Sequence, residues 1–114
     1  MRHLKKKKFG HGMDHRRKLL RALATSAILY ERIETSYANA RAVRPHLEKL
    51  ITRAKVDSLH NRRILLSQLS GKAAAKALEV FGPKYQARNG GYVRLIKLNN
   101  PKAGNSKVVL EFVE

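Results

Sequence analysis

Apolar residues recur along this chain with two different periods, and the switches between them divide it into elements. Leu20, Leu23, Ala24, Ala27 and Ile28 fall at helical spacing between His15 and about Tyr30, with Asp14 in place as the N-cap. Ile33, Thr35 and Tyr37 then alternate with Glu34 and Ser36, the period of a short strand. Val43, Leu47, Leu50, Ile51 and Ala54 form a second helical stripe, with Arg41, Arg44, Lys49, Arg53 and Lys55 mostly outside it. Pro45 interrupts that stripe: inside a helix it removes a hydrogen bond and collides with the carbonyl of Arg41, at a cost of about 3 kcal/mol. The helix must kink there or restart with Pro45 in its first turn, and a kink is the favoured solution. A third helix is expected from about Leu59 to Leu69, capped by Asp57 or Ser58. A fourth runs from Lys72 to Phe81 and is stopped by Gly82-Pro83. Tyr92–Leu98 and Lys107–Val113 read as strands around the turn-forming NNPKAGNS, a hairpin with Val108, Leu110 and Phe112 on one face. The sum is a two-layer α+β fold: helix, strand, three helices and a β-hairpin, with the helices packed on a small sheet.

Residues 1–12 carry no periodicity and contain Gly10 and Gly12, so an extended arm is expected ahead of the first helix. A chain of 114 residues supports one modest core, which divides it into a basic arm over 1–13 and a single globular domain over 14–114. Charge sharpens that division. The formal net charge is +17, whereas a magnitude of about 2–8 keeps a small domain soluble. Residues 1–21 hold nine of the 25 Lys and Arg but one of the eight acidic residues. Such a field favours a polyanion, nucleic acid first and an anionic membrane surface second. There is no cysteine, which excludes disulfides, thiolate nucleophiles and Cys-based zinc sites. No run approaches the roughly 18 apolar residues of a membrane span, so no membrane insertion is expected. The arm resembles neither a secretory signal nor a transit peptide, and it is expected to stay on the mature protein.

The stretch Asp14-His15-Arg16-Arg17-Lys18 breaks a local rule. A helix N-terminus carries about half a positive charge and disfavours cations in its first turn by roughly 0.3–1 kcal/mol each. A phosphate accepting from the free backbone N–H groups and from the arginine forks would compensate. Arg88-Asn-Gly-Gly-Tyr92-Val-Arg94 offers a second candidate contact: two glycines for a tight turn, then Tyr92 and Arg94 two residues apart on a strand, a stacking ring beside a charged fork. A loop-to-strand turn with a half-buried tyrosine explains the glycines equally well. Arg62 and Arg63 on the third helix are a weaker pair, since solvated arginines are the default there. His11 and His15 have the spacing of a metal pair but lack its glutamate and its continuous helix, and Gly71-Lys72 lacks the rest of a phosphate loop. The carboxylates are scattered among basic residues as in ion pairs, so neither catalysis, nor a cofactor, nor a metal, nor a small-molecule substrate is expected.

Several segments taken in order resemble a known family. MRH at the start, HR at 15 and 16, LLRAL, IET, LEKLITRAK, NRR, GPKY, RNGGYVRLIKL and a terminal LEFVE are similar to the bacterial large-ribosomal-subunit protein seventeen family over nearly the whole chain. The resemblance implies that the early strand joins the hairpin in a three-stranded sheet. It also implies a structural, non-enzymatic component of the large ribosomal subunit in the cytoplasm, bacterial or organellar, bound to large-subunit ribosomal RNA near the polypeptide exit side and flanked by other ribosomal proteins. The chain departs from the family pattern at Met13-Asp14, at Asn39-Ala40-Arg41, at Pro45 and in the shorter hairpin loop Asn100–Asn105. The expected RNA contacts are Arg2, His3, Lys5, Lys6, Lys7 and Lys8 of the arm, His15, Arg16, Arg17, Lys18 and Arg21 of the first helix, Arg62 and Arg63, and Arg88, Tyr92 and Arg94. An architectural DNA-binding protein shares every one of the electrostatic features and is the alternative reading. A peripheral membrane protein ranks below both, because no apolar helix face with large aromatics flanks the lysines.

Overall fold

A computed structural model describes residues 13–98 and 107–114 of the chain. The arm and the hairpin loop expected from the sequence lie outside the described residues. Five elements lead from the N-terminal side to the hairpin: α1 (Met13–Tyr30), β1 (Arg32–Ser36), α2 (Tyr37–Ala54), α3 (Leu59–Gln68) and α4 (Gly71–Lys76). A π-helical turn, Ala77–Phe81, continues α4 into a last short turn, α5 (Gly82–Lys84), and strands β2 (Val93–Lys97) and β3 (Lys107–Phe112) complete the fold. The strands form one antiparallel sheet in the order β1-β3-β2, so the fold is α+β, with helices packed on a small three-stranded sheet.

Helix starts follow side-chain capping. Ser36, Ser58 and Ser70 each accept a hydrogen bond from the backbone N–H three residues on, at Asn39, Asn61 and Ala73. Ser36 therefore ends β1, and Tyr37 belongs to α2 rather than to the strand. At α3 the cap is Ser58, while Asp57 binds Arg62 instead. Asp14 is not a cap: α1 begins at Met13, and Asp14 lies inside its first turn, where a carboxylate still opposes the helix dipole. At the other end, the last turn of α1 contains no basic residue. Lys76 of α4 supplies the charge instead, donating to the Leu29 carbonyl at 3.0 Å and pairing with Glu31 at 2.8 Å. Glu31 itself sits at φ 64°, the left-handed residue that turns the chain from α1 into β1.

Prolines are accommodated inside two helical stretches. α2 runs without restart from Tyr37 to Ala54 through Pro45, its buried stripe of Val43, Leu47, Leu50 and Ile51 worth about 1.5–3 kcal/mol per side chain. Gly82-Pro83 does not stop the fourth helix either. Pro83 has no N–H to give the ladder, and the chain widens into a π turn, with the Gly82 N–H reaching the Ala77 carbonyl, before resuming through Lys84. Gly82 is needed there for room: a Cβ would lie 2.5 Å from the carbonyl oxygen of Ala54 at the end of α2.

The core joins the two layers. Alanines 24 and 27 of α1 and 73, 74 and 77 of α4 and the π turn are fully or nearly fully buried, which brings these backbones close together. Phe81 stacks on Phe112 at 4.3 Å between ring centroids, and Tyr85 lies 5.2 Å from Tyr92, so an aromatic cluster ties the π turn to the sheet. The Tyr85 hydroxyl donates to the Val113 carbonyl. Burial pushes the Tyr85 phenol up to about 12. Across the sheet, Ile33, Leu110 and Leu95 stand in one row facing the helices. The adjacent row, Arg32, Glu111 and Arg94, faces outward, and Glu111 bridges both arginines at 3.7 and 2.6 Å.

Candidate nucleic-acid interface

The expected contacts of the arm, Arg2, His3 and Lys5 to Lys8, lie outside the described residues. The remaining ones fall into three places. On α1, Asp14, Arg17, Lys18 and Arg21 occupy positions i, i+3, i+4 and i+7, one face of the helix. Asp14 lies 3.9 Å from Arg17 on that face, and Arg21 donates to the Leu69 carbonyl at 3.2 Å, fixing its guanidinium against the α3–α4 junction. His15 is exposed and Arg16 half-buried elsewhere on the same turn.

On α3, Arg62 is committed to Asp57 through two hydrogen bonds, and that hydrogen bonding holds the Asp57 carboxyl below the usual carboxylate range. Its neighbour Arg63 is exposed and has no carboxylate within 4.0 Å among the described residues.

The Arg88–Arg94 segment requires a correction. Tyr92 is only 1% exposed and packs in the aromatic core, so its ring is not offered to a base. Arg94 projects outward onto Glu111, and the two residues do not form a stacking pair. The reading that holds is the turn: Gly90 and Gly91 adopt φ of 90° and 66°, conformations that side-chain-bearing residues resist. Three side chains, two from α2 and one from its C-cap Lys55, hold this turn. Lys55 Nζ donates to the Arg88 carbonyl at 2.6 Å and to the Tyr92 hydroxyl at 3.1 Å. Thr52 shares a hydrogen bond with the same hydroxyl. Glu48 accepts from the backbone N–H groups of Tyr92 and Val93 at 3.3 and 3.0 Å. Burial raises the Tyr92 phenol, but the hydrogen bonds from Thr52, Lys55 and the Gly90 backbone, with the Lys55 charge, outweigh it and leave the group below the ordinary phenol value.

The sequence reading missed the outer side of α2. Arg41 and Lys97, from α2 and β2, both lie over the half-buried ring of Tyr37, at 5.6 and 5.5 Å from its centroid, and neither has a carboxylate partner among the described residues. Further along, Glu48, Lys49, Thr52 and Arg53 of α2, Asn61 of α3 and Gly90 of the turn line an open groove of ≈ 580 Å³. Arg53 donates to Asn61 at 3.3 Å. The available signal was the ratio of signs: this side of α2 carries Arg41, Arg44, Lys49 and Arg53 against Glu48 alone.

Among the described residues no cluster of His, Cys, Asp and Glu could hold a metal ion, and no helix is long and apolar enough to cross a membrane. The arrangement is chemically one of hydrogen-bond donors and fixed positive charge, suited to anionic oxygen.

Comparison with known proteins agrees with the resemblance seen in the sequence. The family described as Ribosomal protein L17 matches residues 19–113. The chain is 47% identical to the large ribosomal subunit protein bL17 of Hydrogenobaculum, covering all of both chains. It is 44% identical to bL17 of Thermodesulfovibrio yellowstonii over 93% of this chain and 81% of that one. With bL17 of Sulfurihydrogenibium it shares 40% identity over 100% of this chain and 98% of the other. The match spans every described element from the middle of α1 to the end of β3, and the chain belongs to the ribosomal protein L17 family.

Proposed function

We propose that this chain is a structural, non-enzymatic constituent of the large ribosomal subunit in the cytoplasm, and that it binds large-subunit ribosomal RNA through its basic arm, residues 1–13, and the basic surface of the domain formed by residues 14–114. Neighbouring ribosomal proteins complete its surroundings. Family membership supplies the setting. One observation carries the mode of binding: the carboxylates that find partners are occupied within the fold, and much of the positive charge is not. Glu31, Asp57 and Glu111 pair with Lys76, Arg62 and the two sheet arginines, and Glu48 serves backbone N–H groups. Arg41, Arg44, Lys49, Arg53, Lys84 and Lys97 are left without a carboxylate within 4.0 Å among the described residues. A polyanion completes such a surface, and ribosomal RNA is the polyanion of the particle in which this family resides.

Binding to structured large-subunit ribosomal RNA is measured as a function of salt for the full chain and for a chain lacking residues 1–12. The log–log slope falls by about 0.7–0.9 per phosphate neutralised, so loss of the five Lys and Arg in that segment flattens it by up to roughly 3.5–4.5. An unaltered slope removes the arm from the interface. Equal affinity for duplex DNA in competition supports the architectural DNA-binding reading instead, because docking to folded RNA reads shape and 2′-hydroxyls.

A further inference from the structure

We infer that the groove between α2 and the Arg88–Gly91 turn is a second, separate RNA site, which takes a short single-stranded stretch of RNA backbone with phosphates on Lys49 and Arg53. The inference rests on the RNA-binding reading above and narrows part of its basic surface to one defined groove.

Several features converge on it. Lys49 and Arg53 stand at i and i+4 on α2, both exposed, on adjacent turns of one helix face. Glu48, the acid beside them on the groove wall, forms an ion pair with neither; its two oxygens accept from the backbone N–H groups of Tyr92 and Val93. Arg53 uses one N–H on Asn61, and a guanidinium has five. The far wall is bare backbone: a Cβ on Gly90 or Gly91 would meet nothing within 4 Å, so no side chain stands between the turn and whatever enters. The groove is also held in shape before any ligand arrives, because Lys55, Thr52 and Gln86 fasten the turn to α2, the last through a 2.6 Å bond to the Lys55 carbonyl. Asn61, whose amide already binds Arg53 and the Val56 carbonyl, keeps a second amide N–H beside the cations, a group that hydrogen-bonds a ribose 2′-hydroxyl or an unstacked base edge.

The test compares three altered proteins with the wild type on large-subunit ribosomal RNA: Lys49→Ala with Arg53→Ala, Lys72→Ala with Lys107→Ala as an equal removal of exposed charge elsewhere, and the chain lacking residues 1–12. The groove pair is expected to weaken binding by roughly tenfold for each charge-assisted hydrogen bond to phosphate that it removes and to flatten the salt slope by about 1.4–1.8. The control pair is expected to do neither to the same extent. Equal effects of the two pairs, or no effect of the groove pair while arm deletion still weakens binding, overturn the groove and leave the RNA-binding reading standing. Failure of every protein, wild type included, to prefer the ribosomal RNA over duplex DNA overturns both. A second readout does not depend on charge. The chain has no cysteine, so Lys49→Cys and Glu34→Cys each carry one photoreactive thiol label into reconstituted subunits. Position 49 should crosslink to RNA and position 34, on the outer sheet face, should not. Crosslinks from position 49 to a neighbouring protein alone refute the proposal.

Discussion

Replacing Lys55 by Met separates what holds the Arg88–Gly91 turn from what merely lies beside it. The methionine keeps the apolar stem, so the perturbation is confined to the ammonium group. That group donates to the Arg88 carbonyl at 2.6 Å and to the Tyr92 hydroxyl at 3.1 Å, and it lies 5.4 Å from the centre of the Tyr92 ring. Hydrogen bonds to a charged group contribute about 1.5–3 kcal/mol each, and a cation over an aromatic ring about 0.5–1 kcal/mol at an exposed site. Water reaches the Arg88 carbonyl once the lysine is gone, and Thr52 still holds the Tyr92 hydroxyl, so only part of that sum is forfeited. A net destabilisation of about 2 kcal/mol remains. At roughly 4 °C per kcal/mol for a domain of this size, the melting temperature drops by about 8 °C.

The tyrosines provide an independent readout of the same contact. In the wild type Tyr92 titrates below the ordinary phenol value, while burial pushes Tyr85 up to about 12, so the two are separable by NMR of their ring carbons. Loss of Lys55 removes both a hydrogen bond and a charge that favour the phenolate, which leaves burial less opposed and moves Tyr92 upward. Tyr85 serves as the internal reference. If Lys55→Met leaves both the melt and the Tyr92 titration where they were, the turn is not held by Lys55, and the preformed groove loses its main support.

Gly82→Ala brings a methyl group 2.5 Å from the Ala54 carbonyl oxygen. Overpacking against backbone costs about 1–3 kcal/mol and outweighs the gain of up to about 1 kcal/mol in helix propensity, so urea denaturation should show a clear loss of stability; a midpoint at or above wild type contradicts the close helix approach. Acid sensitivity follows from three lowered pKa values. Burial, aided by Lys49, lowers His46, whose Nε2 is buried without a partner among the described residues, and hydrogen bonds from Lys76 and Arg62 lower Glu31 and Asp57. In each case the unfolded chain takes up protons first, so the stability contributed is complete above the ordinary values of 6.5, 4.5 and 3.8 and is lost as pH falls through the lower folded values. Melts recorded from pH 7.5 to 3 should decline in an early and a late phase, with His46→Leu removing the early one and Glu31→Gln reducing the late one; superimposable profiles for wild type and both variants refute the assignment.

Elements set by their own periodicity were legible in advance. The stripe of α2 and the apolar face of β3 appear in the structure where the spacing put them, because each buries its face against whatever packs there. Ser36 and Ser58 were harder: at Ser36 a strand end and a helix cap compete for the same residues, at Ser58 the neighbouring Asp57 is an alternative cap, and the hydrogen bonds at Asn39 and Asn61 decide. Gly82-Pro83 was misread for a related reason. Punctuation by Gly and Pro is a local rule, whereas here the Gly accommodates α2 and the π turn absorbs the Pro, both consequences of packing against a distant segment. Tyr92 shows the limit most plainly. An Arg-Asn-Gly-Gly-Tyr stretch suits an exposed stacking loop and a buried turn equally, and the choice is made by Lys55, Thr52 and Glu48, some forty residues earlier. The cations of α2 escaped notice because residues opposite an apolar stripe are solvated by default; what distinguishes them is that Glu48 faces the backbone rather than them.

Screening sets how these charges can act together. At physiological ionic strength the field of an exposed charge fades over about 8 Å, while the described body extends 43 × 37 × 24 Å. The cations of α1, the Tyr37 cluster and the groove on α2 therefore do not add up to one attractive cloud once a partner has arrived; each must meet its own phosphates at contact distance. The internal placement of the acids serves that requirement. Glu48, Glu31 and Glu111 join α2 to the start of β2, the end of α1 to α4, and β1 to β2 across β3. Glu48 fixes the spacing between α2 and β2, which carry Arg41 and Lys97 without a carboxylate within 4.0 Å among the described residues, so the distance between those anchor points is built into the fold before any partner arrives. A partner whose phosphates match that distance engages both anchors at once and gains from their linkage. A flexible polyanion must give up conformational freedom to do the same. Under the function proposed above, folded ribosomal RNA is the partner of the first kind, and binding it more tightly than unstructured RNA of equal charge is the outcome expected of such rigidly placed anchors.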